Sequence, residues 1–169
     1  FLEERCNVAS GSVVCGCLEG NRPILVEVQA LVAITPYGMP RRTAVGFDYN
    51  RVTMLLAILE RRLGMDFGAY DAYVNVVGGM RVTEPAADLA VAAALVSSYR
   101  NRPIPHGVLV MGEVGLTGEV RRIGSPERRI KDAMNLGFKR FVLPMGKLSL
   151  DEPCNGIVQV KTLEEALRS

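Results

Sequence analysis

Residues 74–99, VNVVGGMRVTEPAADLAVAAALVSSY, decide how this chain is read. They divide into a strand, a turn and a helix. Val74, Val76 and Val77 are β-branched and flank Asn75, the composition of a buried strand. Gly78 and Gly79 reach backbone angles that other residues resist, so the chain can reverse there. Pro85 suits the first turn of a helix, where its missing N–H has no intrahelical partner to lose, and Thr83 or Glu84 is placed to cap that turn. Asp88 falls near the positive end of the helix dipole. Ala86, Ala87, Ala90, Ala92, Ala93 and Ala94 keep the helix slim enough to approach a sheet closely. A strand leading into such a helix is a common seat for a nucleophile or an anion. The residue after Pro85 is Ala86, which offers no nucleophile.

On the N-terminal side, residues 12–18 and 24–34 form a hairpin by composition, with Glu19-Gly20-Asn21 as its turn. The loop TPYGMP at 35–40 cannot continue a strand, and Arg41 and Arg42 follow it as exposed residues. A short strand over 43–47 leads to Asp48 or Asn50, either able to cap a helix over about 51–63. There Val52, Leu55, Leu56, Leu59 and Leu63 recur at helical spacing before Gly64. On the C-terminal side, Pro103 and Pro105 break the chain and 108–111 is a short strand. Residues 112–120 carry hairpin punctuation, and a helix runs from Ser125-Pro126 to about Leu136. Strands at 138–143 and 156–160 and a helix capped by Thr162 complete the chain. An antiparallel start joined to a strand–helix–strand–helix ending makes an α+β fold, a mixed sheet with packed helices, in which the strand at 74–77 is expected to be central.

With 169 residues, 49% of them hydrophobic, the chain suffices for one domain with a proper core. Mean hydropathy is +0.18, yet no apolar run approaches the roughly 20 residues of a membrane span. The start, FLEERC, has no secretory pattern and begins abruptly, as a piece of a longer protein would. Net charge is +2, so bulk charge does not decide whether nucleic acid is a partner. Against four lysines stand 16 arginines, several in adjacent pairs: Arg41-Arg42, Arg61-Arg62, Arg121-Arg122 and Arg128-Arg129. Guanidinium forks suit phosphates and subunit interfaces. Cys6, Cys15, Cys17 and Cys154 lack a C-x-x-C spacing, and with one histidine, His106, they read as buried thiols of a reducing compartment rather than a zinc site.

The string EPAADLAVA resembles the segment of Lon-type serine proteases that reads G-P-S-A-G before an apolar helix. The wider VVGGMRVTEPAADLAVA is more similar to the C-terminal Lon-like domain of the bacterial RadA (Sms) family, recombination ATPases. ASGSVV, RPILVEVQALV, GFDYNR, RNRPIP, GEVGLTGEVR and GFKRFVLP extend the resemblance along nearly the whole chain. It implies a fold of the Lon protease proteolytic-domain type over residues 12–169, with 1–11 as a lead-in from an absent ATPase region. It also implies a degenerate serine–lysine dyad. The serine falls on Ala86, and matching IGSPERRIKDAMNLGFKRFVLP by its end places the lysine on Glu127. A methyl cannot attack a carbonyl, and a carboxylate cannot serve as the depressed-pKa amine that such a dyad uses.

Residues 112–118 lack the lysine and hydroxyl of a phosphate loop. No cofactor is therefore expected in this domain; the resemblance implies that ATP with magnesium, and zinc, belong to absent regions of the full-length protein. The resemblance further implies a hexameric ring, single-stranded and branched DNA as partner, recombinase or replication machinery nearby, no membrane and a cytoplasmic location. The alternative is an active Lon-type serine peptidase with an unrecognised nucleophile. For DNA, Arg41 and Arg42 are the first candidates, with Tyr37 as a stacking face, and Arg121 and Arg122 the second. Across subunit boundaries, Arg128 and Arg129 are expected to pair with Glu113 or Glu119 of a neighbour.

Overall fold

The hairpin that composition foretold is the centre of the fold. In a computed structural model, which describes residues 9–151 and 154–168, β1 (Ser12–Glu19) and β2 (Arg22–Ile34) pair antiparallel from Ser12 opposite Gln29 to Glu19 opposite Arg22. Residues 1–8 of the expected lead-in, and Cys6 with them, lie outside the described residues. The remaining strands are β3 (Arg42–Val45), β4 (Tyr70–Val76), β5 (Val108–Val110), β6 (Glu113–Val114), β7 (Val120–Arg121), β8 (Arg140–Pro144) and β9 (Ile157–Val160). The main sheet has the order β3-β4-β2-β1-β5-β8-β9, and β6 and β7 form a separate antiparallel pair. β2 runs antiparallel to both its neighbours, β1 and β4, whereas β3 joins β4, and β5, β8 and β9 join on the β1 side, in parallel. This is the expected mixed sheet with packed helices.

One expectation is corrected. The strand within residues 74–77 is second from an edge, and β1 takes the middle. β1 is buried at every position from 12 to 17 because strands flank it on both sides and helices lie over both faces. β4, in contrast, exposes Asn75 and is covered on its outer edge by the four-residue β3. Val77 lies beyond the strand, which ends at Val76.

Helix α1 (Tyr49–Leu63) behaves as its sequence demands. The Asp48 side chain accepts from the Asn50 N–H at the start, and Gly64 turns left-handed (φ 69°) at the end, its N–H returning to the Glu60 carbonyl. Helix α2 (Asp88–Arg100) is buried without interruption from Asp88 to Ser97, so it has no solvent face in its first ten residues. Helix α3 (Pro126–Asn135) and helix α4 (Leu163–Arg168) follow, the latter capped by Thr162, whose hydroxyl accepts from the Glu165 N–H at 3.2 Å.

The faces follow from strand alternation. The Cys15 thiol reaches the Ala86 carbonyl just before α2, while a Cβ at the next residue, Gly16, would lie 3.4 Å from Cβ of Arg129 on α3. So α2 and α3 sandwich β1. The opposite outcome holds at the far end of β2, where Leu31 and Ile34 are more than half exposed.

Gly11 sets the entry to β1. Its φ is +93°, its carbonyl accepts from Ala30 N–H at 2.8 Å, its N–H donates to the Ser97 hydroxyl, and a Cβ there would lie 2.2 Å from the Ala30 oxygen. Gly11→Ala is expected to lower stability by about 2–4 kcal/mol, combining left-handed strain with overpacking. Gly78→Ala, at φ +89° in open space, carries the backbone strain alone and is expected to lose about 1–2 kcal/mol. Urea unfolding of both variants checks this; equal losses would contradict the packing argument.

Candidate functional site

At the head of α2 the chain makes one tight 3₁₀ turn, Pro85–Ala87, entered through an extended Glu84. Neither Thr83 nor Glu84 caps it with a side chain, contrary to the sequence reading. The Glu84 carboxylate is drawn elsewhere. It forms an ion pair with Arg129, with one Arg129 Nη2–Oε2 contact of 3.0 Å, and accepts from the Leu18 N–H at 3.1 Å. Arg129, 2% exposed, also donates to the carbonyls of Gly16 and Gly124, each at 2.9 Å. The cause lies in β1. Its pairing with β5 consists of Val14 opposite Leu109, so the later N–H and C=O groups on that edge need other partners. Arg129 and Glu84 supply them.

Asp88 is fully buried and is no simple dipole partner. Its Oδ1 accepts from Arg51 Nε at 2.8 Å, and its Oδ2 from Arg51 Nη2 and from the Val114 N–H at 3.1 Å. Burial pushes the Asp88 carboxyl above its ordinary value, against the pull of Arg51 and Val114, while the hydrogen bond to Asp88 pushes Arg51 up. Between the two ion pairs lies Ala86, 2% exposed, its carbonyl accepting from Gly112 N–H at 2.8 Å and its neighbourhood closed by Cys15. Cys15 and Cys17 are buried free thiols with sulfurs 3.6 Å apart, and Cys154 is a half-buried free one. The contact from Cys17, together with burial, pushes the Cys15 thiol well up, so it stays protonated.

Glu127, the position matched to the dyad lysine, stands half-buried on the first turn of α3, where it accepts from the Ser149 N–H at 3.3 Å. It lines a surface groove with Arg128, Lys131 and Asp151. No hydrogen bond joins Glu127 to Ala86 among the described residues; their two elements meet through Glu84 and Arg129 instead.

The DNA candidates separate from one another. Arg41 is exposed, and its backbone N–H donates to Asp71 Oδ1 at 2.7 Å, as does the Thr35 hydroxyl at 3.0 Å. Asp71 therefore clasps both ends of the loop carrying Tyr37 and Met39, which are 90% and 87% exposed. The Arg41 N–H and the Thr35 hydroxyl hold the Asp71 carboxyl below its ordinary value, against an opposing push from burial. Arg42 is half-buried rather than exposed as expected: its guanidinium donates to the carbonyls of Tyr70 and, at 2.9 Å, Phe67. Arg121 and Arg122 are exposed, but Arg121 lies 3.7 Å from Glu113 and 3.9 Å from Glu119. Those two carboxylates thus pair within their own chain, Arg129 is buried, and Arg128 donates to the Asn21 carbonyl at 2.9 Å. Of the groups expected to pair across subunit boundaries, Arg129 is enclosed within the chain, while Arg128, Glu113 and Glu119 each have a contact inside it.

The model of the family described as subunit ChlI of Mg-chelatase matches residues 26–147. The chain belongs to that family. This ChlI-family chain is also 47% identical over 171 residues to the DNA repair protein RadA of Halalkalibacterium halodurans and to that of Bacillus subtilis, and 48% over 168 residues to that of Pseudomonas aeruginosa. The matches cover 99–100% of this chain and 37% of each relative, so the chain spans just over a third of the length of these curated relatives. Similarity to RadA proteins, read first from scattered strings, therefore runs from end to end. No helix among the described residues is long and apolar enough to cross a membrane.

Proposed function

We propose that residues 12–169 are a Lon-like domain that has no peptidase nucleophile and serves as a scaffold in a longer DNA repair ATPase. The observation that carries this reading is the end-to-end likeness to proteins named DNA repair protein RadA, joined to a buried alanine where a Lon-type serine would stand. In this reading the domain assembles six subunits into a cytoplasmic ring and presents arginines to the backbone of single-stranded or branched DNA, beside recombinase or replication machinery. Residues 1–11 lead in from the ATPase region, and ATP with magnesium, and zinc, are held there rather than here. Leu31, Ile34 and Val45, exposed around the open end of the sheet, supply apolar contact for such an assembly, because exposed ion pairs contribute only about 0–1 kcal/mol each.

Three experiments test the reading. Full-length protein is expected to have the native mass of a ring and to lose that mass, along with DNA-stimulated ATP hydrolysis, when residues 12–169 are removed. A serine-directed covalent probe is expected to leave the domain unlabelled; stoichiometric labelling would favour an active peptidase. Ala86→Ser alone is expected to turn over neither casein nor short peptides. The new hydroxyl would sit in a closed turn with no amine beside it. Turnover by that single variant would refute the dyad assignment.

A further inference from the structure

Between α2, α4 and the strands β5 and β8 lies a cavity of about 270 Å³. Its floor is aliphatic, made by Leu89, Val96, Val110, Val142 and Leu167. Its rim carries Arg100, Arg102, Arg140 and Arg168, all exposed. Arg100, Arg102 and Arg168 also line an adjoining depression, and Arg62 joins from a third that contains Glu164. The ion pairs among the described residues involve Arg51, Arg121 and Arg129 and none of the four rim arginines. Arg100 donates to the Leu167 carbonyl at 3.4 Å, which neutralises no charge. Four guanidinium groups with no ion pair among the described residues thus surround an apolar hollow, where they repel one another.

The chemistry of the floor selects the occupant. It has no aromatic side chain on which a base could stack, and Ser97 Oγ is already committed, accepting from the Gly11 N–H and donating to the Arg102 carbonyl at 2.6 Å. A nucleobase edge would go unpaired there, and a phosphate chain has no apolar part to place on the floor. Pro103 and Pro105 lack N–H groups, so the wall they form cannot extend a β-ladder from those positions. Small-molecule pockets run from about 300 Å³ upward, so this cavity suits an anchor side chain better than a whole ligand. An aliphatic side chain flanked by carboxylates meets both halves: methyl groups on the floor and bidentate carboxylates on the arginine forks.

We propose that this groove is a docking site for an acidic peptide segment of a protein partner, anchored by leucine-like side chains. The proposal is independent of the DNA reading, which rests on other arginines.

The test uses full-length protein and a fluorescein-labelled peptide, Asp-Asp-Leu-Leu-Asp-Asp, followed by anisotropy. The competitors are the same peptide with serine in place of both leucines and an unlabelled oligothymidylate. The leucine peptide is expected to bind, the serine peptide to compete at least about tenfold more weakly, and Arg102→Glu with Arg168→Glu to weaken binding by about tenfold or more. Both replaced side chains are exposed, so the fold is retained, and Arg41→Ala is expected to leave peptide binding unchanged. Equal competition by the serine peptide would reduce the groove to a plain anion site and overturn the proposal. So would displacement by oligothymidylate with the same dependence on Arg102 and Arg168, or no binding of the leucine peptide at millimolar concentration.

Discussion

Arg129→Met is expected to lower the unfolding free energy by about 3–5 kcal/mol, the range for breaking a buried ion pair from one side. The side chain is 2% exposed and satisfies three groups at once: the carbonyls of Gly16 and Gly124 and the carboxylate of Glu84. A methionine fills the space and leaves all three without their donor. Glu84 is the less buried partner, 21% exposed against 2%, so part of its charge can be rehydrated. Glu84→Gln keeps an acceptor for the Leu18 N–H and is expected to lose about 1–3 kcal/mol. Arg129→Met combined with Glu84→Leu should lose less than the sum, because no charge is then stranded. Urea unfolding of the three variants, with hydrogen exchange at the Leu18 amide, measures each step. An Arg129→Met protein as stable as the parent, with Leu18 still protected, would show that the arginine merely fills space.

Neither ion pair was legible in the sequence, and the reason is distance. Glu84 and Arg129 are 45 residues apart, and Arg51 and Asp88 are 37 apart. Local periodicity carries no signal at such separations. A trace of the second pair was nonetheless present. Asp88 interrupts a run of alanines and valines, and a carboxylate inside a helix buried all round must find a partner. The capping of α1 by Asp48 and Gly64 was legible because those residues act on their own neighbours. The hairpin of β1 and β2 was legible for the same reason. Sheet order was not. Placing β1 between β2 and β5 depends on a parallel crossover through most of the chain, whereas strand composition makes β4 look as suited to the centre as β1. The arginine rim around the α2–α4 cavity carries no local signal because it is assembled from three distant stretches, at 100–102, 140 and 168, while the adjacent pairs evident in sequence, at Arg42 and Arg129, serve the fold.

The same sorting sharpens the expected effect on DNA. Proteins that neutralise phosphates release counterions, and each lost contact makes the logarithmic salt dependence of affinity shallower by about 0.7–0.9. Arg41 presents an exposed guanidinium at the foot of a loop clasped by Asp71, and Arg122 is exposed with no ion pair among the described residues. Arg41→Ala with Arg122→Ala, in full-length protein, is therefore expected to reduce the slope by about 1.4–1.8 for each subunit that touches DNA through both. Arg121→Ala should change it less, since Glu113 and Glu119 already surround that charge and would oppose a phosphate beside it. Arg42→Ala should leave the slope intact and instead cost about 1–3 kcal/mol of stability, by stripping the donors from the Phe67 and Tyr70 carbonyls. In a ring, weak contacts repeated on successive subunits act together, so the loss in affinity at low salt should exceed what one site alone would show. Titrations at several salt concentrations, with native mass measured alongside, read both quantities. An unchanged slope for Arg41→Ala with Arg122→Ala in an intact ring would remove this surface from the DNA path. A slope that falls with Arg42→Ala, in protein of unchanged stability, would mean that its guanidinium leaves the carbonyls to meet phosphate.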